Sequence, residues 1–100
     1  MNISDYKRGD TAIIEVVGDI KSVSEIAEFK SQFSKVCLSK PKFLEISFID
    51  SSFIASAVIG ALLQKKEIDK LQMSVIVSKK ELFDSIARLG LVDILNVRIK

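Results

Sequence analysis

The pattern of hydrophobic and polar residues changes most clearly within residues 43–63. Up to Ile49 the two kinds of residue alternate, which is the period of two that indicates a β-strand. From Ile54 onward, hydrophobic residues recur at helical spacing and form one apolar face. Between the two patterns lie three residues of types that favour helix N-caps: Asp50, Ser51 and Ser52. The pattern therefore predicts a buried strand over 42–49, a sharp polar turn and a helix over 51–66.

Four further strands are predicted outside this segment. A β-branched run over 11–17 and an alternating run over 72–77 have the composition and the period of strands. A last strand is predicted over 94–99, and a short leading strand over 3–7.

Two further helices are predicted, one on each side of the central helix. Ser22 or Ser24 caps the first, which ends before Pro41 because proline disfavours a helical conformation in the preceding residue. The last helix is expected to be capped by Ser78, with a glutamate at the capping-box spacing, and to end at Gly90. The residues expected to face the core are Ile26, Phe29, Phe33, Val36 and Cys37 in the first helix and Leu82, Phe83, Ile86 and Ala87 in the last.

Strands alternate with helices along the chain, an order typical of sheets whose neighbouring strands are joined by right-handed crossovers. We therefore predict a single α/β domain over residues 1–100, with a mostly parallel sheet of four to five strands and helices packed against it. In such sheets, functional loops gather at the carboxyl ends of the strands. Two polar turns are expected there, Gly18-Asp19-Ile20-Lys21 and Asp50-Ser51-Ser52.

The outward face of the central helix is not uniformly polar. Phe53 and Leu63 lie on that face, and the small residues Ser56 and Gly60 lie between them. This arrangement predicts a shallow groove with apolar rims beside the polar turn. Two interpretations stay open, because single exposed hydrophobic residues are ordinary, whereas a contiguous patch marks a protein-binding surface. Likewise, the serines of the turn can serve as helix caps alone.

The composition of the chain argues against several classes of function. With 48% hydrophobic residues among 100, the chain is expected to form one domain with a substantial core. Its 15 basic and 13 acidic residues are intermixed. This argues against direct binding of nucleic acid, which needs clustered lysine and arginine. The chain has no histidine and no glycine-rich phosphate loop, so imidazole-based catalysis is excluded and an enzyme is not expected.

The single cysteine, Cys37, precludes an internal disulfide and favours a reducing cytoplasm as the location. Because it lies on the apolar face of the first helix, packing rather than reactivity is expected of it. The N-terminus lacks the hydrophobic region of a signal peptide. The longest apolar-rich stretch, around residues 53–63, is too short to span a bilayer. Membrane insertion is therefore not expected.

Residues 44–52, Leu-Glu-Ile-Ser-Phe-Ile-Asp-Ser-Ser, resemble the signature of the STAS domain in bacterial anti-sigma factor antagonists. In that family an apolar strand ends in Asp-Ser-Ser-Gly or Asp-Ser-Thr-Gly before a helix of small residues. Residues 17–20 are similar to the Gly-Glu-Leu turn of the family, and residues 82–91 to its late helix, which ends in a Gly-Leu step. The resemblance covers nearly the whole chain.

The resemblance implies a protein that binds an anti-sigma factor and thereby frees a sigma factor. The anti-sigma factor is also a serine kinase that phosphorylates Ser51, and a serine phosphatase reverses the modification. A phosphoserine at a helix N-terminus is stabilised by the helix dipole, so the modification is expected to act locally. The implied surroundings of the phosphosite are Asp50, Ser52, Asp19 and Lys21, and the implied partner surface is Phe53, Ser56 and Gly60. No cofactor and no metal are implied, and homodimerisation stays open.

Two residues depart from the family pattern. Phe53 stands where the family has glycine, which changes the shape that a kinase or partner meets. Lys21 stands where many members have aspartate, and it either pairs with phosphoserine or Asp50 or is an ordinary solvated lysine. The alternative function is that of a constitutive STAS adaptor, a subunit of a lipid-transport complex or of a stress-sensing scaffold. In such a protein Ser51 is only a cap.

Overall fold

Five strands form one sheet in which the order of the strands is their order along the chain. The computed structural model describes residues 1–100. The antiparallel pair is β1 with β2, and all other neighbours are parallel. The predicted fold class is therefore confirmed. The elements are β1 (Asn2–Arg8), β2 (Thr11–Val17), α1 (Val23–Leu38), β3 (Phe43–Ile49), α2 (Ser56–Glu67), β4 (Gln72–Val77), α3 (Lys80–Arg88) and β5 (Val97–Ile99).

The core lies between one face of the sheet and the three helices. Alternate residues of β2, β3 and β4 form a single cluster with the buried residues of all three helices. Phe29 of α1 stacks on Phe33 and on Phe48 of β3, with ring centroids 5.6 and 6.3 Å apart. Successive right-handed crossovers between strands added in one direction all pass over the same side of a sheet. The strand order therefore accounts for the common side of the helices.

Of the two serines expected as the N-cap of α1, Ser22 is the N-cap in the structure, and it forms a capping box. The Ser22 hydroxyl accepts the N–H of Glu25 at 3.1 Å, and the Glu25 carboxylate accepts the N–H groups of Ser22 and Lys21, each at 3.0 Å. These two N–H groups lower the pKa of Glu25 from 4.5 to about 2. The helix ends at Leu38, ahead of Pro41 as predicted. Its inward stripe is buried at Phe29, Phe33 and Val36 and half-buried at Ile26 and Cys37.

The predicted start of the central helix is wrong. The helix α2 begins at Ser56, five residues later than expected, and its N-cap, Ala55, has no side-chain hydrogen bond. The preceding residues bond across the structure instead. Ile20 donates its N–H to the Phe53 carbonyl at 3.1 Å and accepts the Ala55 N–H at 2.9 Å. Because these long-range bonds occupy the backbone of residues 53–55, Asp50, Ser51 and Ser52 do not cap the helix.

The predicted cap of the last helix is wrong for a similar reason. The helix α3 begins at Lys80, and its N-cap, Lys79, makes no side-chain hydrogen bond. The Ser78 hydroxyl instead accepts the backbone N–H of Asp50 at 2.8 Å. A serine oxygen in a strand-to-helix turn can accept a hydrogen bond from any nearby N–H group, and here the donor belongs to another loop.

The end of α3 confirms the prediction for Gly90. This residue has φ +73°, and its N–H donates to the Ala87 carbonyl at 2.9 Å while Leu91 N–H donates to Ile86 at 3.3 Å. That pair of bonds is the Schellman motif, which favours glycine because the left-handed conformation strains other residues. Two details differ from expectation. Ala87 is exposed, and β5 spans only three residues, with the buried Leu95 in the turn before it.

Replacing Ser22 by alanine tests the capping box. The Glu25 N–H then loses its side-chain acceptor, and the free energy of unfolding is expected to fall by about 1 kcal/mol. For a domain of this size that corresponds to a decrease in Tm of about 4–8 °C, measurable by thermal denaturation. Ser31→Ala is the control, because Ser31 is exposed within the same helix. Equal stability of the Ser22→Ala and Ser31→Ala proteins would contradict the assignment.

Candidate functional site

Two loops at the carboxyl edge of the sheet lie against each other. We call residues 18–21, which follow β2, the Asp19 loop, and residues 50–55, which follow β3, the serine loop. Ile20 and Ile54 form an isolated parallel bridge, and both side chains are buried in the core. The two polar turns that the sequence placed at this edge are therefore brought together. Their contact is a backbone pairing, which no local pattern in the sequence indicates.

The carboxylate of Asp19 holds the serine loop through its backbone. Its Oδ1 atom accepts the N–H groups of Ser52 at 2.8 Å and Phe53 at 3.2 Å. The Lys21 ammonium lies 3.4 Å from Oδ2 and is largely exposed. The Ser52 N–H, followed by the Phe53 N–H and Lys21, lowers the pKa of Asp19 against an opposing effect of burial. Lys21 is thus an exposed lysine that pairs with Asp19, and its predicted pairing with phosphoserine stays a prediction.

Ser51, the expected phosphate acceptor, is enclosed by these loops. It is the one buried polar residue of the chain and has 0% of its surface exposed. Its hydroxyl donates to the Gly18 carbonyl at 2.6 Å. The hydroxyl is therefore out of reach of another protein in this conformation.

Ser52 and Asp50 are more accessible than Ser51. Ser52 is half-buried, and only its backbone N–H, which donates to Asp19, takes part in hydrogen bonding. Asp50 is exposed and has a left-handed backbone with φ +54°, a conformation that aspartate tolerates better than most residues. Its N–H donates to Ser78, so the first residue of the serine loop is tied to the turn before α3.

An apolar groove of about 450 Å³ runs between α2 and α3, beside the serine loop. Phe53, half of whose surface is exposed, lies in its wall. Ile59 and Ile86 line it, and the strongly exposed Leu89 lies on the α3 side. Ser56 also lines this groove. The contribution of α3 to this groove is not among the sequence-based predictions, although Leu89 is a hydrophobic residue outside the inward stripe of that helix.

The predicted groove along α2 is divided between two depressions. Gly60 does not line the groove beside Phe53 and Ser56 but a separate depression of about 380 Å³ between α1 and α2. Phe53 and Ser56 therefore line one depression and Gly60 another, and the partner surface expected of the three residues stays a prediction. Ser56 and Gly60 lie on the exposed side of α2, whereas Phe53 precedes that helix in the serine loop.

The structure gives little support for a metal site, a reactive cysteine or a membrane-spanning helix. No group of three or more cysteine, aspartate or glutamate side chains is placed to hold a metal ion. Burial raises the pKa of the Cys37 thiol, which disfavours the reactive thiolate. None of the helices combines the length and the apolar character needed to cross a membrane.

Comparison with known proteins identifies the fold. No protein-family model matches the chain, and no curated protein matches its sequence. Among solved structures, the chain is similar to the anti-sigma factor antagonist SpoIIAA in its unphosphorylated form. The TM-score is 0.77 and the identity 12%, and the match covers 99% of this chain and 88% of that one. The chain therefore has the STAS fold that the resemblance of its sequence predicted.

Replacing Asp19 by asparagine tests the attachment of the serine loop. A neutral amide oxygen is a weaker acceptor than a carboxylate, so the free energy of unfolding near pH 7 is expected to fall by about 1.4 kcal/mol. Because folding lowers the pKa of Asp19 below 3.8, its contribution is present above that pH and is lost as the pH falls through the folded value.

Urea unfolding between pH 7 and pH 2.5 measures this effect. The difference in stability between wild type and Asp19→Asn is expected to close at the acid end. Asp10→Asn is the control, because the Asp10 carboxylate is exposed and contacts only Lys42, at 3.8 Å. A difference between wild type and Asp19→Asn that does not vary with pH would refute the role given to the Asp19 charge.

Proposed function

We propose that this protein is an anti-sigma factor antagonist that binds its partner through the serine loop and the groove between α2 and α3. The observation that carries the proposal is the position of that groove. It opens directly beside the loop whose sequence resembles the family signature, and Phe53 belongs to both. The STAS fold shared with SpoIIAA supports the same assignment. Binding of the anti-sigma factor would free its sigma factor.

The chemistry of the groove suits a protein partner. An exposed aromatic ring and an exposed leucine, Phe53 and Leu89, flank an apolar floor, and Ser56, Ser85 and Arg88 supply polar groups around it. Protein interfaces commonly combine an apolar centre with a polar rim. Large aromatic side chains at such centres often contribute most of the binding free energy. Phe53 is therefore the residue expected to anchor the partner.

The proposal includes control by phosphorylation at Ser51. The anti-sigma factor, acting as a serine kinase, would transfer the γ-phosphoryl group of ATP to Ser51 Oγ. The bond from phosphorus to the leaving ADP breaks, and the hydroxyl proton passes to a base of the kinase. The phosphate adds a charge of about −1.5 to −2 two residues from Phe53 and opposes docking. A serine phosphatase would restore the binding form.

A second function is favoured by the burial of Ser51. In a constitutive STAS adaptor, whether a subunit of a lipid-transport complex or of a stress-sensing scaffold, this serine would have a purely structural role. Its hydrogen bond to Gly18 fits such a role. The bulk of Phe53, where the family has glycine, fits it as well. The groove beside α3 would then be occupied permanently, without regulation by a kinase.

Alanine replacement of Phe53 tests the docking surface. Binding to the anti-sigma factor of the same host, measured by calorimetry, is expected to weaken by about 2 kcal/mol, roughly thirtyfold. Leu89→Ala is expected to weaken it to a smaller extent. Leu38→Ala is the matched control, since Leu38 is 81% exposed and lies at the far end of α1. Equal affinity of the Phe53→Ala and Leu38→Ala proteins would exclude this surface.

Mass spectrometry of the protein purified from its own host separates the two functions. The regulated antagonist is expected to carry a phosphate on Ser51 under at least one growth condition. A phosphate found on Ser52 alone would transfer the regulatory role to that half-buried neighbour. Protein without phosphate under every condition, but bound through Phe53 to an ATPase or scaffold subunit, would identify the adaptor instead.

A further inference from the structure

Ser51 is inaccessible where the proposed function requires it to react. A kinase must bring the serine Oγ in line with the γ-phosphate, but the residue has no exposed surface. Its hydroxyl also donates to Gly18, so the proton to be removed points into the protein. The conformation described above is therefore not itself the substrate of a kinase.

The contacts of the serine loop divide it into a fixed part and a part that can open. Ile54 is 7% exposed and its partner Ile20 is 0% exposed, so their pairing belongs to the core. Residues 50–53 are held differently. Apart from the Ser51 hydroxyl and the Phe53 carbonyl, their bonds run to the half-exposed carboxylate of Asp19 and to the exposed Ser78. Opening of 50–53 therefore breaks these two buried bonds and three bonds to partly exposed groups, while the Ile54 side chain stays in the core.

A phosphorylated Ser51 cannot return to its closed position. The ester oxygen of phosphoserine has no hydrogen, so it would face the Gly18 carbonyl oxygen at 2.6 Å as a second acceptor. The phosphate itself would also have to enter a site with no exposed surface, which costs far more free energy than burial of a neutral hydroxyl. The helix α2 begins only at Ser56, so the phosphate on Ser51 would not be attached at the N-terminus of a helix.

We propose that Asp19 is a latch that keeps the acceptor serine buried, and that residues 50–53 must open before Ser51 is phosphorylated and stay open afterwards. This inference rests on the proposed function, because it takes Ser51 as the site of modification. Phe53 lies within the opening segment and in the wall of the docking groove. The same movement that exposes Ser51 therefore displaces the partner's anchor, which couples modification to loss of binding.

Thiol labelling measures the opening without any partner. Ser51→Cys and Ser52→Cys are made in a Cys37→Ser background and reacted with dithionitrobenzoate under native conditions. Ser51→Cys is expected to react at least about tenfold more slowly than its half-buried neighbour, because it reacts only from the open form. Adding Asp19→Asn is expected to accelerate Ser51→Cys about tenfold, the factor equivalent to 1.4 kcal/mol, and Asp10→Asn is expected to leave it unchanged.

Amide hydrogen exchange of the protein with its native Ser51 gives an independent measurement. The Ser52 and Phe53 amides, bound by Asp19, are expected to exchange faster than the Ala55 amide, bound by Ile20. Asp19→Asn should accelerate the first two about tenfold and leave Ala55 unchanged. Ser51→Asp, which mimics the phosphate, should do the same, whereas Ser52→Asp should not.

Each outcome decides one part of the proposal. Equal labelling of Ser51→Cys and Ser52→Cys, together with unprotected Ser52 and Phe53 amides, would show that no closed state shields the serine. Protection that Asp19→Asn leaves unchanged would exclude Asp19 as the latch. If the Ser52 and Phe53 amides stay fully protected from exchange in Ser51→Asp, the loop does not remain open after phosphorylation. None of these experiments uses the partner, so a failure of the docking surface in calorimetry would be seen separately.

Discussion

The pairing of Ile20 with Ile54 is the contact on which the site depends. Both side chains are buried, so the core fixes their positions, while the backbone of Ile20 bonds to both sides of Ile54. The pairing extends the contact between β2 and β3 beyond the ends of the strands. It delays the start of α2, places Phe53 on the surface and encloses Ser51. Hydrogen bonds to Asp19, Ser78 and Gly18 then hold the four residues that precede Ile54.

The sequence is most informative where burial alone decides the structure. The bounds predicted for β2 and β4 agree with the structure, and the inward residues Val58, Ile59 and Leu62 of α2 are buried, as is Ile54 in the loop before it. Periodicity succeeds for β4 and α2 because each has one face toward the core, whereas β2 is recognised by its β-branched residues. Gly90 could be assigned because its cap is built from residues of the same turn.

The sequence is least informative where a polar group has more than one partner within reach. Ser51 and Ser78 have the composition of helix caps, but their hydroxyls bond to Gly18 and to Asp50, which are 33 and 28 residues away along the chain. Local propensity describes what a side chain can do and not which partner the fold brings to it. The candidate site consists largely of such contacts, so its residues could be named in advance but their arrangement could not.

The order of the strands has a consequence for how the chain reaches this structure. Each strand after the first is added beside its predecessor, so no strand has to insert between two that are already paired. A polypeptide that emerges from the ribosome can therefore extend the sheet from its N-terminal edge as each strand and helix becomes available. Contacts between sequential strands span less of the chain than those of a sheet with inserted strands, which lowers the contact order and speeds folding relative to such a sheet. The bridge between Ile20 and Ile54 can form once β3 is in place, before β4 and β5 are needed.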